Sequence, residues 1–304
     1  MNVVSEMGGA FMSGSKCDSD GNLYIHKYAA DRPLLGPVVK IDRDGKRVAV
    51  FDPAVFSQLA LDRADSFSPA FDGGLFQIAQ SGILKPRIYV LRFSFDGTPS
   101  FTPRLDADFE LYNFAAFLGG NFLVSGVRRD VQDKNDRGRN FTAVFSADGR
   151  ELAQVSFDGT GKSGKAGATK ASDNSVPPLD LSDAEVGIDG NLYVLRRSSP
   201  ALIYVIAPSG KIARTLKVFA PLHSGSPDAF HVSVNRLAVS FWNEDSQRQT
   251  IVVADAQTGQ KIASYADADG LGPSFACYSA NDGVFTFLKL GEGNALEVIR
   301  AEAR

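Results

Sequence analysis

Residues 16–28 read KCDSDGNLYIHKY, and residues 37–51 follow as PVVKIDRDGKRVAVF. The same phrase returns as AEVGIDGNLYVLRR at 184–197 and ALIYVIAPSGKIARTLKV at 201–218. Each copy holds an apolar stretch, a Gly-containing turn, a short run such as LYI, a loop, a second apolar run, another Gly turn and a third run. The runs alternate and are rich in Val, Ile, Phe and Tyr, which marks them as β-strands. Glycine at the turns supplies the positive φ that tight hairpins need without a Cβ clash, so consecutive strands are expected to pair as antiparallel meanders.

Working outward, weaker copies appear at SPAFDGGLFQIAQ (68–80), FAAFLGGNFLVSGV (114–127), HVSVNRLAVSFW (231–242) and FACYSANDGVFTFLKL (275–290). Their first turns, at Gly21, Gly73, Gly120, Gly190, Asn235 and Gly283, stand 52, 47, 70, 45 and 48 residues apart. The long interval contains the Gly-, Ser- and Lys-rich stretch 158–175, which reads as an inserted loop. Units of 40 to 50 residues with four strands each are the mark of a β-propeller. The expected fold is therefore all-β, one six-bladed β-propeller over 1–304, with blades near 11–51, 66–103, 111–157, 182–219, 229–265 and 273–304 plus 1–6. The sixth copy ends one strand short, which would leave an open sheet edge. The N-terminal residues precede the first copy's inner strand and are expected to supply the missing outer strand and close the ring. Helical periodicity is absent except for one short turn or helix expected within Pro53–Asp65.

Composition narrows the function classes. The chain has 304 residues, 44% hydrophobic and 22% charged, with net charge −3. That balance excludes disorder and gives no general pull toward nucleic acid or anionic lipid. No apolar run reaches the length of a membrane span, so no membrane insertion is expected. The two cysteines, Cys17 and Cys277, form no CxxC or metal motif. They lie on inner strands of the first and last copies, neighbours in a closed ring. Two buried free thiols are the main expectation and a ring-closing disulfide the alternative.

The phrases CDSDGNLYI with VVKIDRDGK, and VGIDGNLYV with IYVIAPSGK, resemble NHL repeats and the wider group of TolB-like six-bladed propellers. Asp20, Gly21, Asn22, Leu23 and Tyr24 match the repeat core, as do Asp189, Gly190, Asn191, Leu192 and Tyr193. The resemblance implies the propeller fold. Related gluconolactonase-like and streptogramin-lyase-like enzymes imply an alternative activity, a divalent-metal-dependent hydrolase or lyase, but the Glu-Gly-Pro and Asn-Gly-Leu segments of the gluconolactonase-like enzymes are missing.

Other motifs have structural readings. Residues 159–166 (GTGKSGKA) imitate a phosphate loop but place Ala166 where the hydroxyl belongs and lack the following helix. The Asp-rich turns 18–21, 42–45 and 267–270 lack the twelfth-position acid of a Ca²⁺ loop and read as hairpin turns. The basic loop 128–139 has no interleaved aromatics, which disfavours nucleic acid. No cofactor, catalytic residue or metal ligand is assigned. The function expected is noncatalytic binding of a protein, peptide or small polar ligand by inter-blade loops on one face. Residues starting the inner strands, and the loops before them, would line the funnel mouth: Arg63 and Asp65, Tyr112 and Asn113, Asp183 and Glu185, His223 and His231. Compartment stays open, an extracytoplasmic one following if a leader peptide has been removed.

Overall fold

The computed structural model describes residues 2–7, 11–82, 86–105, 109–128, 138–156, 179–266, 274–292 and 295–303. Six antiparallel sheets follow one another around a central channel. The first blade runs outward through β2 (Phe11–Cys17), β3 (Leu23–Lys27), β4 (Val38–Ile41) and β5 (Arg47–Phe51). A 3₁₀ helix at Pro53–Leu59, capped by the Asp52 carboxylate, then leads to the second blade. That blade holds β6 (Arg63–Pro69), β7 (Leu75–Ser81) and β8 (Arg87–Phe93). The third comprises β9 (Glu110–Ala116), β10 (Phe122–Arg128), β11 (Arg139–Phe145) and β12 (Glu151–Gln154). The fourth comprises β13 (Glu185–Val186), β14 (Leu192–Arg196), β15 (Ala201–Ile206) and β16 (Ile212–Val218). The fifth comprises β17 (Ser226–Ser233), β18 (Arg236–Asn243), β19 (Arg248–Asp255) and β20 (Lys261–Ala266). The sixth has β21 (Ser274–Ser279), β22 (Val284–Leu290) and β23 (Leu296–Glu302), and its outer strand is β1 (Asn2–Met7). The N-terminal strand thus closes the ring as expected, Asn2 lying opposite Arg300 and Met7 opposite Leu296.

The second blade departs from the four-stranded pattern. Its outer edge is a pair of bridges, Tyr89 to Arg104 and Phe93 to Pro99. Ser100 N–H still donates to the Arg92 carbonyl at 2.7 Å, and Val90 N–H to the Pro103 carbonyl at 3.0 Å. Pro99 and Pro103 have no N–H to return, so a regular fourth ladder cannot form.

Each strand alternates its side chains between two neighbouring blades. Leu192 and Val194 of β14 join a core with Leu123 and Val144 of the third blade. Tyr193 and Leu195, between them, join a core with Val239 and Phe241 of the fifth. Six such clusters, one at each blade-to-blade contact, make up the core. Burial of both faces explains the near-continuous apolar runs of the middle strands.

The expectation of two free thiols is corrected. Cys17 and Cys277 are joined by a disulfide, their Cα atoms 6.1 Å apart across 260 residues of sequence. Ring closure sets β2 against β21, and that spacing lies within the range a disulfide spans. The Gly turns behave as hairpins. The Asp18 carboxylate accepts from the N–H groups of Asp20 and Asn22 at 3.1 and 2.9 Å and from Tyr24 Oη at 3.1 Å. Asp42 accepts from the N–H groups of Asp44 and Lys46. The turn 267–270, the insertion 158–175 with its phosphate-loop-like segment, and residues 129–137 of the basic loop lie outside the described residues. No helix among the described residues is long and apolar enough to cross a membrane.

Candidate functional site

Bulges in the inner strands build the end of the channel where those strands begin. Between Ala64 and Phe67 of β6, at Tyr112 in β9 and at Asp228 in β17, the inner strand carries an extra residue against its partner. A bulge frees backbone groups from the ladder and re-aims side chains. Here it creates a chain of polar contacts across four blades. Ser66 Oγ donates to Asn113 Oδ1 at 3.1 Å, and Asn113 Nδ2 donates to Asp180 Oδ1 at 3.1 Å. Arg197 bonds Asp180 at 3.1 Å, Asp183 at 2.6 Å and the freed Asp228 carbonyl at 2.9 and 3.0 Å. Burial pushes the Asp183 carboxyl above the ordinary carboxylate range despite Arg197 and Lys16. Burial also acts upward on Asp180, but bonds from Ser182 and Arg197 outweigh it and the net shift is downward.

The expected site residues divide. Asn113 and Asp183 belong to this network, while Arg63 pairs with Asp65 at 2.5 Å beside it. Tyr112 is exposed at its bulge. His223 is exposed in the loop before β17 at φ 66°, its carbonyl accepting from Asn243 Nδ2 at 2.7 Å. Glu185 and His231 meet deeper in the channel. Glu185 Oε1 lies 2.8 Å from His231 Nδ1, and Oε2 accepts from the Val232 N–H at 2.6 Å. An ionised carboxylate can only accept, so His231 carries its proton on Nδ1 in this contact.

Lys16 separates the two ends of the channel. It is next to last in β2, only 5% exposed, and its Nζ donates to the Ala184 carbonyl at 2.9 Å. The first and fourth blades face each other in a ring of six, so this bond crosses the channel. Burial drives the Lys16 pKa down; Glu185, Asp183 and Asp180 act the other way, and the net shift is downward.

Beyond Lys16, where the inner strands end, a cavity of about 140 Å³ opens to solvent. Lys16 and Glu185 contribute to its lining, together with Phe71, Leu118, Ile188 and Val234. Those four occupy the tips of the first turns in the second to fifth blades. Phe71 is 82% and Ile188 64% exposed. The equivalent tips in the first and sixth blades are Ser19 and Ala280. Four consecutive turns thus present apolar tips around one opening, with the buried Lys16 side chain beneath them.

This apolar ring and Lys16 were not among the residues expected from sequence. The signal for the ring was present, because turn tips favour Gly, Asn, Asp and Ser, and Phe71, Leu118 and Ile188 break that preference at one repeat position. Lys16 carried no comparable signal, since only the opposite blade makes it buried. Among the described residues no three His, Cys, Asp or Glu side chains converge as a metal cage. Each carboxylate of the channel instead has donors of its own.

No family model matches the chain, and no curated protein matches it in sequence. Solved structures do match. One, from Thermus thermophilus and assigned as an oxidoreductase (glucose dehydrogenase), aligns with TM-score 0.50 and 14% identity over 98% of this chain and 99% of its own. A protein assigned as TolB from Agrobacterium tumefaciens aligns with TM-score 0.48 and 14% identity over 95% and 90%. The Dos1 propeller aligns with TM-score 0.47 and 10% identity over 98% and 83%. At such identities likeness establishes architecture alone: the chain is a six-bladed β-propeller.

Proposed function

We propose that this protein is a noncatalytic binding propeller that receives part of a protein, peptide or small ligand in the mouth ringed by Phe71, Leu118, Ile188 and Val234. The observation that carries this reading is the exposed apolar ring around a cavity, since contiguous exposed apolar surface on a folded protein marks an interaction site. Of the residues expected from sequence, Glu185 lines this mouth and is held by His231; at the other end Asn113 and, through Arg197, Asp183 link neighbouring blades, while Arg63 and Asp65 pair with each other within β6.

The test uses an uncharged aromatic probe, indole, followed by the methyl resonances of Leu118, Ile188 and Val234 in isotope-labelled protein. Saturable shifts at these methyls are expected, and in a Leu118→Asn, Ile188→Asn double variant the shift at the remaining Val234 methyls should disappear. Both positions are turn tips outside the six core clusters, so the fold should persist. Shifts scattered over the surface, or none, would refute the reading.

A further inference from the structure

A second surface, which shares no lining residue with the mouth, follows β16 and the segment leading from it to β17. Thr215, Lys217 and Phe219 succeed one another at every second position, and all three are exposed. With Pro221 and the β19–β20 turn from Thr258 to Lys261 they line an open groove of about 500 Å³. Both sides of the groove are held from behind. Ala220 packs on the core between the fourth and fifth blades, the Pro221 carbonyl accepts from the Ser224 N–H at 3.2 Å, and a Cβ at Gly225 would strike the Trp242 carbonyl. In the facing turn the Asp255 carboxylate accepts from the N–H groups of Gln257 and Thr258 at 3.0 and 2.9 Å. A Cβ at Gly259 would come within 3.0 Å of the Lys217 carbonyl oxygen, so the turn is pressed against β16. Phe219 is nevertheless 66% exposed and Leu222 87%. A bulky apolar side chain held in water by an anchored segment marks a surface that a partner covers.

The groove is basic as well as apolar. Lys217 and Lys261 both line it and both are exposed, and an ammonium group in water is charged at neutral pH. Opposite them across their own sheets stand Leu202 and Ala254. Among the described residues no carboxylate lines the groove and no ion pair engages either lysine. Carboxylates on the adjoining elements are occupied elsewhere, Asp255 by its own turn and by Arg236 at 3.7 Å, Asp189 by Arg214 of β16 at 3.0 Å. A ligand complementary to this surface combines negative charge with an apolar group. We propose that the groove docks an acidic segment of a partner protein, an apolar side chain resting on Phe219 and Pro221 and flanking Asp or Glu carboxylates facing Lys217 and Lys261. A protein segment suits it better than a phosphate compound, because the groove offers two separate point charges without an arginine fork or a helix N-terminus. An extended segment also repeats its side chains at every second residue, the interval of Thr215, Lys217 and Phe219. The inference stands apart from the reading of the mouth.

The probe is the blocked peptide acetyl-Asp-Glu-Phe-Glu-Asp-amide, followed on the intact protein at low ionic strength by the methyl resonances of Thr215, Ala220 and Thr258. Its counterpart acetyl-Asn-Gln-Phe-Gln-Asn-amide should bind about tenfold more weakly, two exposed ion pairs together being of that order, and the gap should close as salt is raised to about 0.5 M. Replacing the Phe of the acidic peptide by Gly should also weaken it about tenfold. In a Lys217→Gln, Lys261→Gln variant the acidic peptide should fall to the level of the amide peptide, whose own affinity is unchanged; both side chains are exposed and outside the core clusters. The comparison between peptides on the unaltered protein needs no variant to fold. Equal affinity for the acidic and amide peptides overturns the charge complementarity, and with it the proposal. A Gly peptide as tight as the Phe peptide overturns the apolar contact. Shifts spread over the surface, or confined to Leu118, Ile188 and Val234 at the mouth, overturn the groove as the site. Adenosine monophosphate binding at these methyls more tightly than the acidic peptide overturns the protein segment. Indole reports on the mouth and the acidic peptide on the groove, so either reading can fail alone.

Discussion

Breaking the Cys17–Cys277 link tests ring closure most directly. The bond ties residues 260 apart, so in the unfolded chain it closes a loop of nearly the whole sequence. The loop-entropy relation gives about 5 to 6 kcal/mol for that length, an upper value because unfolded chains are already partly compact. A loss of about 3 to 5 kcal/mol is expected on reduction or in a Cys17→Ser, Cys277→Ser variant. The assay is equilibrium urea unfolding of the oxidised protein, the reduced protein and the double variant, the last two agreeing with each other. Thiol titration of the unreduced, unfolded chain should find no free thiol. A destabilisation below about 1 kcal/mol, or two titratable thiols per chain, would refute the claim that closure sets these cysteines in a bond. Such a bond persists in oxidising surroundings, so the same titration on protein from its native source also reports the compartment.

Two other perturbations follow from buried polar groups. Asp18→Ala removes the acceptor for two backbone N–H groups and the Asn22 and Tyr24 side chains, and should cost about 2 to 4 kcal/mol in urea unfolding. Tyr24→Phe, which deletes only the hydroxyl shared with the Gly73 carbonyl, should cost about 1 kcal/mol, and a larger loss than from Asp18→Ala would invert the argument. Lys16→Met should raise the stability of the protein by about 1 to 3 kcal/mol at pH 7, because it removes a lysine whose burial outweighs the attraction of Glu185, Asp183 and Asp180. Burial lowers the folded-state lysine pKa from 10.5, so between that lowered value and 10.5 the unfolded chain binds more protons and wild-type stability climbs with pH. The advantage of the variant should shrink through that window; a variant less stable than wild type at pH 7 would show that the Ala184 bond outweighs the burial cost.

The propeller was legible because its information is local. Gly21, Gly190 and their equivalents sit at positive φ in turns between strands that alternate within a few residues. Turn chemistry and strand periodicity together count the blades. The missing strand of the sixth blade was legible as well, since an unpaired edge demands a partner and β1 was the segment left over. The features that escaped the sequence depend on how blades meet. Asp65, Tyr112 and Asp228 sit in or beside bulges whose register shift is set by packing against the next blade, and no single-strand pattern reveals it. The disulfide was legible only as an alternative, because neighbouring strands in a closed ring do not by themselves fix the 6.1 Å Cα spacing that lets Cys17 and Cys277 bond. Lys16 carries no local signal of its burial, because its acceptor lies 168 positions away.

The turn tips carry a sign of selection for something other than folding. A hairpin of this kind needs its glycine and a nearby acceptor; the tip side chain adds little to it. Ser19 and Ala280 meet that requirement at low solvation cost. Phe71, Leu118 and Ile188 put apolar surface into water instead. Val234 goes further, since it is β-branched and holds φ 54°, a conformation that clashes with its Cβ and costs about 1 to 2 kcal/mol relative to glycine or asparagine. An exposed valine in a left-handed turn lowers stability on two counts, strain and hydration. Both count as function if the residue's partner is a ligand, because strained and exposed positions persist where binding supplies the missing contact. The gap at Ser19 and Ala280 then has a meaning too. The wall of the mouth is low over the first and sixth blades, on the side where β1 and the Cys17–Cys277 bond close the ring, and under the proposed reading a ligand longer than the cavity would leave by that side.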